Sequence, residues 1–102
     1  MLNVEKKIEN GALFLTLEGQ LDTMTSPGFN AELEPLLGEA ASVTMDMKDI
    51  DYISSAGLRV LLAAEQVMED KGAEKIRILN ANKTILEIFN ITGFTELLSI
   101  EA

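Results

Sequence analysis

Apolar and polar positions alternate in four separate stretches of the chain. In residues 2–8, Leu2, Val4 and Ile8 share a face with Lys6, and in 13–18 Leu13, Leu15 and Leu17 alternate with Phe14, Thr16 and Glu18. In 43–47, Val43, Met45 and Met47 alternate with Thr44 and Asp46; in 75–79, Ile76 and Ile78 alternate with Lys75 and Arg77. A period of two sends successive side chains to opposite faces of a strand, so the spacing predicts four strands, each with a polar face. Glu9-Asn10-Gly11 joins the first two as a hairpin, because Asn and Gly tolerate the positive φ angles of a tight turn. A sheet buried on both sides reads as continuous apolar runs. These strands instead predict helices mainly on one face and a largely open opposite face, where Asp46 and Arg77 are expected to form an exposed ion pair on adjacent parallel strands.

Between the strands the period lengthens to that of a helix. Residues 24–37 carry Pro27 near a start and Phe29, Leu33, Leu36 and Leu37 at helical spacing, with Pro35 expected to distort or shorten the last turn. Residues 55–70 form the clearest helix: at about 100° per residue Gly57, Val60, Leu61, Ala64, Val67 and Met68 make one stripe. Lys71-Gly72 marks its end. Glu65, Glu69 and Asp70 read as its solvated face. Residues 82–90 predict a third helix with Ile85, Leu86 and Phe89, and 97–100 a short closing strand or final turn. The order is β-β-α-β-α-β-α, an α/β fold in one domain spanning 1–102, with a mostly parallel sheet and an N-terminal antiparallel hairpin. Right-handed crossovers bring the loops after the second, third and fourth strands to one sheet edge, so Asp22, Ser54-Ser55 and Asn80 to Asn82 are expected to converge.

Composition narrows what those residues can do. The 102 residues are 47% hydrophobic, enough for a single core. Eight Lys and Arg against seventeen Asp and Glu give a net charge of -9, which repels nucleic acid and anionic membrane surfaces. There is no His and no Cys, so the usual base for a serine nucleophile and the usual zinc ligands are missing. Asp, Ser and Asn alone make a poor catalytic set. No catalytic residues, metal site or cofactor are expected, and no Gly-rich phosphate loop with a Lys is present. The first residues lack the order of a signal peptide, and no apolar run approaches the ~20 residues needed to span a bilayer. The reading is a cytoplasmic, non-enzymatic monomer without membrane insertion. The Asn-x-Thr triplets at Asn82 and Asn90 carry almost no weight without a secretion signal.

The chemistry concentrates at Tyr52-Ile53-Ser54-Ser55-Ala56-Gly57-Leu58-Arg59-Val60-Leu61-Leu62, where a strand runs out and a helix begins. Serines in that position often do no more than cap the helix. A helix N-terminus also tolerates a phosphate, which makes the pair a candidate kinase target. Asp22 has two readings of its own, a loop cap or a role at a partner surface. Leu58 and Leu62 project away from the core stripe, either onto a neighbouring helix or outward as a binding pair.

This word, with Gly19-Gln20-Leu21-Asp22 before it and Phe89-Asn90-Ile91-Thr92-Gly93-Phe94 after it, resembles the STAS domain family, and specifically its stand-alone bacterial anti-sigma factor antagonists. The resemblance covers essentially the whole chain. It implies a small protein that binds an anti-sigma factor serine kinase and so regulates transcription dependent on a sigma factor. Phosphorylation of one serine switches such a protein off, and a metal-dependent serine phosphatase restores it. Anchored on Gly57-Leu58, that serine falls on Ser55, with Ser54 as the alternative. The implied partner surface takes in Asp22, Ser54, Ser55, Gly57, Leu58, Arg59 and Leu62. A frequent form of the family word is Asp-Ser-Ser-Gly; this chain carries Ser54 at the acidic position and Ala56 in place of the second serine. The alternative reading is a STAS scaffold subunit of a lipid-transport ATPase complex or stress-signalling assembly.

Overall fold

The structure, a computed structural model, describes residues 1–101. Five strands make one sheet in sequence order: β1 (Leu2–Glu9), β2 (Ala12–Leu21), β3 (Ser42–Ile53), β4 (Arg77–Leu79) and β5 (Ser99–Glu101). β1 runs antiparallel to β2, and every other neighbouring pair is parallel. The hairpin turn is as the sequence requires: Asn10 and Gly11 both have positive φ, at 53° and 84°, and Glu9 pairs with Ala12. The helices are α1 (Ser26–Leu37), α2 (Ser55–Asp70), α3 (Lys83–Thr92) and α4 (Phe94–Leu97). One buried cluster joins the inward residues of the sheet to Phe29 and Leu33 of α1, Leu61 and Met68 of α2, Ile85 and Phe89 of α3, and Phe94 of α4. The opposite face carries exposed Lys7, Phe14, Glu18 and Arg77.

β3 extends to Ile53, well beyond the alternating segment that ends at Met47. Two bulges explain the difference. Thr16 pairs with Asp46 but Glu18 with Asp49, and Gly19 pairs with Ile50 but Gln20 with Tyr52, so β3 inserts an extra residue each time. Its inward positions become Met47, Ile50 and Ile53, a period of three that masks the strand. Asp46 Oδ1 accepts from the Lys48 N–H at 3.0 Å and supports the first bulge.

β4 is shorter than its alternating segment and begins at Arg77, although Ile76 is also fully buried. The Ile76 N–H donates to Glu65 Oε1 at 2.8 Å. Glu65 is therefore no part of a solvated face: it is 6% exposed and closes the start of β4. The buried arc of α2 is centred nearer Leu61 and Met68 than the stripe drawn from sequence. It takes in Leu58, with Leu62 half-buried, and leaves Val67 exposed at its margin. Leu58 and Leu62 thus pack rather than form an exposed pair. α2 ends as expected, with Gly72 in the left-handed region at φ 73° and Ala73 N donating back to Met68 O at 2.9 Å.

Two further expectations are corrected. Pro35 does not shorten α1, which continues through Leu37. Pro35 and Ala31, whose carbonyl loses its helical donor, are both on the exposed side. The free carbonyls at the end of α1 are taken by Lys71, whose Nζ donates to Leu37 O at 2.8 Å, Gly38 O at 3.2 Å and Ala40 O at 2.7 Å. Asp46 and Arg77 do stand on adjacent strands, but Arg77 pairs with Glu101, Nε to Oε2 at 2.6 Å and Nη2 to Oε1 at 3.1 Å. The reason is β5: it adds beside β4 and offers a longer side chain, while Asp46 Oδ1 is engaged by Lys48 N and by Asn80 Nδ2.

Candidate functional site

The ends of β2 and β3 are flush, with Leu21 paired to Ile53 and the Ser54 N–H donating to Leu21 O at 2.9 Å. α2 starts at once, and its first turn lies directly on the end of β2. A Cβ at Gly57 would come within 2.6 Å of Leu21 O and 2.8 Å of Leu21 Cγ, so only glycine permits this approach. Ser54 has extended backbone and caps the helix: its Oγ accepts from the Gly57 N–H at 3.4 Å and its carbonyl accepts from Leu58 N at 2.9 Å. Ser55 is the first helical residue and is exposed, and its Oγ has no hydrogen-bond partner among the described residues. The two hydroxyls therefore divide the work. Ser54 holds the helix start, and the Ser55 hydroxyl is left exposed.

Asp22 lies one residue past β2 and organises the loop into α1. Its Oδ1 accepts from Met24 N at 2.9 Å and Thr25 N at 3.0 Å, while Asp22 N donates to Thr25 Oγ1 at 3.0 Å. Ser26 Oγ and Ser26 N both donate to the Asp22 carbonyl. The Thr25 backbone N–H, against desolvation and with help from Met24 N–H, holds the Asp22 carboxyl below the ordinary carboxylate range. The loop-cap role of Asp22 is thus filled. One effect of that turn is to leave Met24 almost wholly outside, 88% exposed.

An open groove of about 370 Å³ runs between α1 and α2 beside Ser55, lined among others by Thr23, Ser26, Asn30, Ala56 and Arg59. Of the residues selected from sequence, Ser55 and Arg59 are exposed, while Asp22, Ser54 and Leu62 are half-buried. Gly57 and Leu58 are buried and position the helix instead of offering a surface. Asn80 and Asn82 do not join them. β4 ends at Leu79 opposite Asp46, and β3 continues through Ile53, seven residues beyond Asp46. Asn80 Nδ2 bonds Asp46, and Asn82 caps α3 while its Nδ2 reaches Ile50 O at 2.9 Å. Thr23, Met24 and Asn30 were not selected from sequence. The signal available was the Asp22-Thr23-Met24-Thr25 run, a side-chain-capped turn placing the helix start at Ser26 and Met24 in a loop.

Residues 3–102 match the STAS domain. The chain belongs to the STAS domain family. Among similar proteins is the anti-sigma-B factor antagonist of Bacillus subtilis, 25% identical over 101 residues, covering 99% of this chain and 92% of that protein. An anti-sigma factor antagonist from Mycobacterium paratuberculosis has a similar fold, with a TM-score of 0.81 at 13% identity, over 98% of this chain and 85% of that one. The Bacillus cell fate determinant SpoIIAA in its phosphorylated form has a TM-score of 0.76 at 15% identity, over 100% of this STAS chain and 92% of that one. Among the described residues no helix is long and apolar enough to cross a membrane, and no cluster of acidic residues is suited to a metal ion.

Proposed function

We infer that this STAS protein is an anti-sigma factor antagonist of the cytoplasm, inactivated when an anti-sigma factor serine kinase phosphorylates Ser55 and restored by a metal-dependent serine phosphatase. The observation that carries this reading is the division of the two serines: Ser54 Oγ is committed to the helix cap, and Ser55 Oγ is exposed and unbonded. Full-length relatives named as antagonists, and a phosphorylated form of a protein with the same fold, support it. In the transfer, Ser55 Oγ attacks the γ-phosphorus of ATP, the bond to ADP breaks, and the serine proton passes to a base of the kinase. An unmodified hydroxyl can be buried in an interface. A phosphate brings about -1.5 to -2 charge and a strong demand for hydration, which opposes burial against an acidic or apolar surface.

Phosphopeptide mapping after incubation with ATP and the cognate kinase tests the residue. Incorporation is expected to vanish in Ser55→Ala and persist in Ser54→Ala. Calorimetry tests the switch: Ser55→Ala is expected to bind the kinase constitutively, and Ser55→Asp to bind more weakly with its fold intact. Equal affinities for wild type and both variants would refute the switch and favour a scaffold.

A further inference from the structure

Arg59 stands four residues after Ser55 in α2, is exposed, and makes no ion pair or side-chain hydrogen bond among the described residues. Of the eight cationic side chains, Lys48 and Lys83 are likewise without such a partner among the described residues. Five of the other cations are held: Lys6 by Glu32, Lys7 by Glu9, Arg77 by Glu101, Lys71 by carbonyls at the end of α1, and Lys75 by the Glu96 carbonyl. Among the described residues no carboxylate oxygen lies within 4.0 Å of the Arg59 guanidinium. The positions three and four residues to either side in α2 are Ser55, Ala56, Leu62 and Ala63, and the groove beside it is lined by Thr23, Ser26, Pro27 and Asn30. The Asp22 Oδ1 accepts from Met24 N and Thr25 N, and the Asp22 carboxylate forms no ion pair with Arg59.

Helical side chains lean toward the N-terminus of their helix, so Arg59 extends over the turn that bears Ser55. Residues four apart lie about 5–6 Å from each other at Cβ, within reach of a guanidinium and a phosphate. We propose that Arg59 is the intramolecular counter-ion of a phosphate on Ser55, and that modification draws this guanidinium out of the groove between α1 and α2. The inference rests on the reading of Ser55 as the modified residue. It adds a second consequence to the switch: the phosphate places a negative charge on the surface and also removes from the groove the one cation lining it among the described residues. A partner contact accepting from Arg59 is lost at the same moment.

Phosphoserine installed at position 55 by an expanded genetic code takes the kinase out of the experiment. A phosphorus NMR titration then reads the phosphate directly. Because a nearby cation favours the dianion, its second pKa is expected to rise by about 0.2 to 0.4 unit in Arg59→Gln, to return toward the wild-type value in Arg59→Lys, and to differ less in about 1 M salt. The Arg59 Nε–H signal of the phosphorylated chain is expected to shift and to exchange more slowly with water, while Arg77, held by Glu101, serves as internal reference. Superimposed titration curves for wild type and Arg59→Gln, or an Arg59 signal indifferent to the phosphate, would overturn the proposal. Either result is obtained whether or not a kinase modifies Ser55, so failure here is distinct from failure of the antagonist reading.

Discussion

Gly57→Ala places a methyl group 2.6 Å from Leu21 O, 2.8 Å from Leu21 Cγ and 3.1 Å from Ile53 Cγ2. Ordinary contact begins near 3.4 Å, so the first turn of α2 must withdraw by about 0.8 Å. The contacted carbonyl also accepts the Ser54 N–H, and withdrawal stretches that bond. Overpacking costs about 1–3 kcal/mol and a weakened hydrogen bond up to ~1 kcal/mol, offset by up to ~1 kcal/mol of helix propensity gained by removing a glycine. The net expectation is a loss of about 1–3 kcal/mol, which in a domain this size lowers the melting temperature on the order of 10 °C. Urea unfolding followed by circular dichroism measures it as a lower midpoint at unchanged slope. Gly28→Ala is the control, because a Cβ there meets nothing within 4 Å and the same propensity gain acts alone. A Gly57→Ala protein as stable as wild type would refute the claim that this glycine seats the helix on β2.

Three further outcomes follow from contacts elsewhere. Glu65→Ala leaves the buried Ile76 N–H unpaired and is expected to cost about 1–3 kcal/mol, whereas Glu65→Gln keeps an acceptor and should lose less; equal losses in chemical denaturation would deny the bond its role. Lys71→Met removes the donor that serves three carbonyls at the end of α1 and is expected to cost about 1–2 kcal/mol, with amide exchange rising first in the last turn of that helix. Asp22→Ala should lower stability at neutral pH. Since the folded-state pKa of Asp22 lies below its ordinary 3.8, its contribution is complete above that value and fades as pH falls through the folded pKa, so the gap to wild type should close in strong acid. A gap independent of pH would mean that the carboxylate is not the acceptor in that turn.

The legible parts of this fold were those obeying a single period. β1 and β2, the Asn10-Gly11 turn and the helix at 55–70 all follow from spacing and turn chemistry. The extended part of β3 was not legible, because two bulges convert its alternation into Met47, Ile50 and Ile53, a spacing that suits neither a flat strand nor a helix face. Glu65 was misassigned for a different reason. A charge at a helical position reads as solvated, and only the tertiary fold brings the Ile76 N–H to it. At the candidate site, Ser54 and Ser55 were visible as a pair, but their separate roles depend on which one adopts the extended cap conformation. The Asn80 placement failed because strand order was inferred without strand length: β4 has three residues where β3 has twelve.

The two bulges make β3 a length gauge. It has twelve residues against the ten of β2, yet both finish together at Leu21 and Ile53. Paired without the bulges, the two extra residues of β3 would carry Ile53 past the end of the neighbouring strand by roughly 6–7 Å at the usual rise, and Gly57 would miss the carbonyl it is shaped to meet. Removing one residue between Met47 and Ser54 would also send Ile53 and the hydroxyl pair to the wrong face. The segment 48–52 is mostly exposed and looks tolerant of change in composition, but its count is fixed by a helix seat several residues away. Insertions and deletions there should be far more damaging than substitutions, so the position of Ser55 is encoded in residues that never touch it.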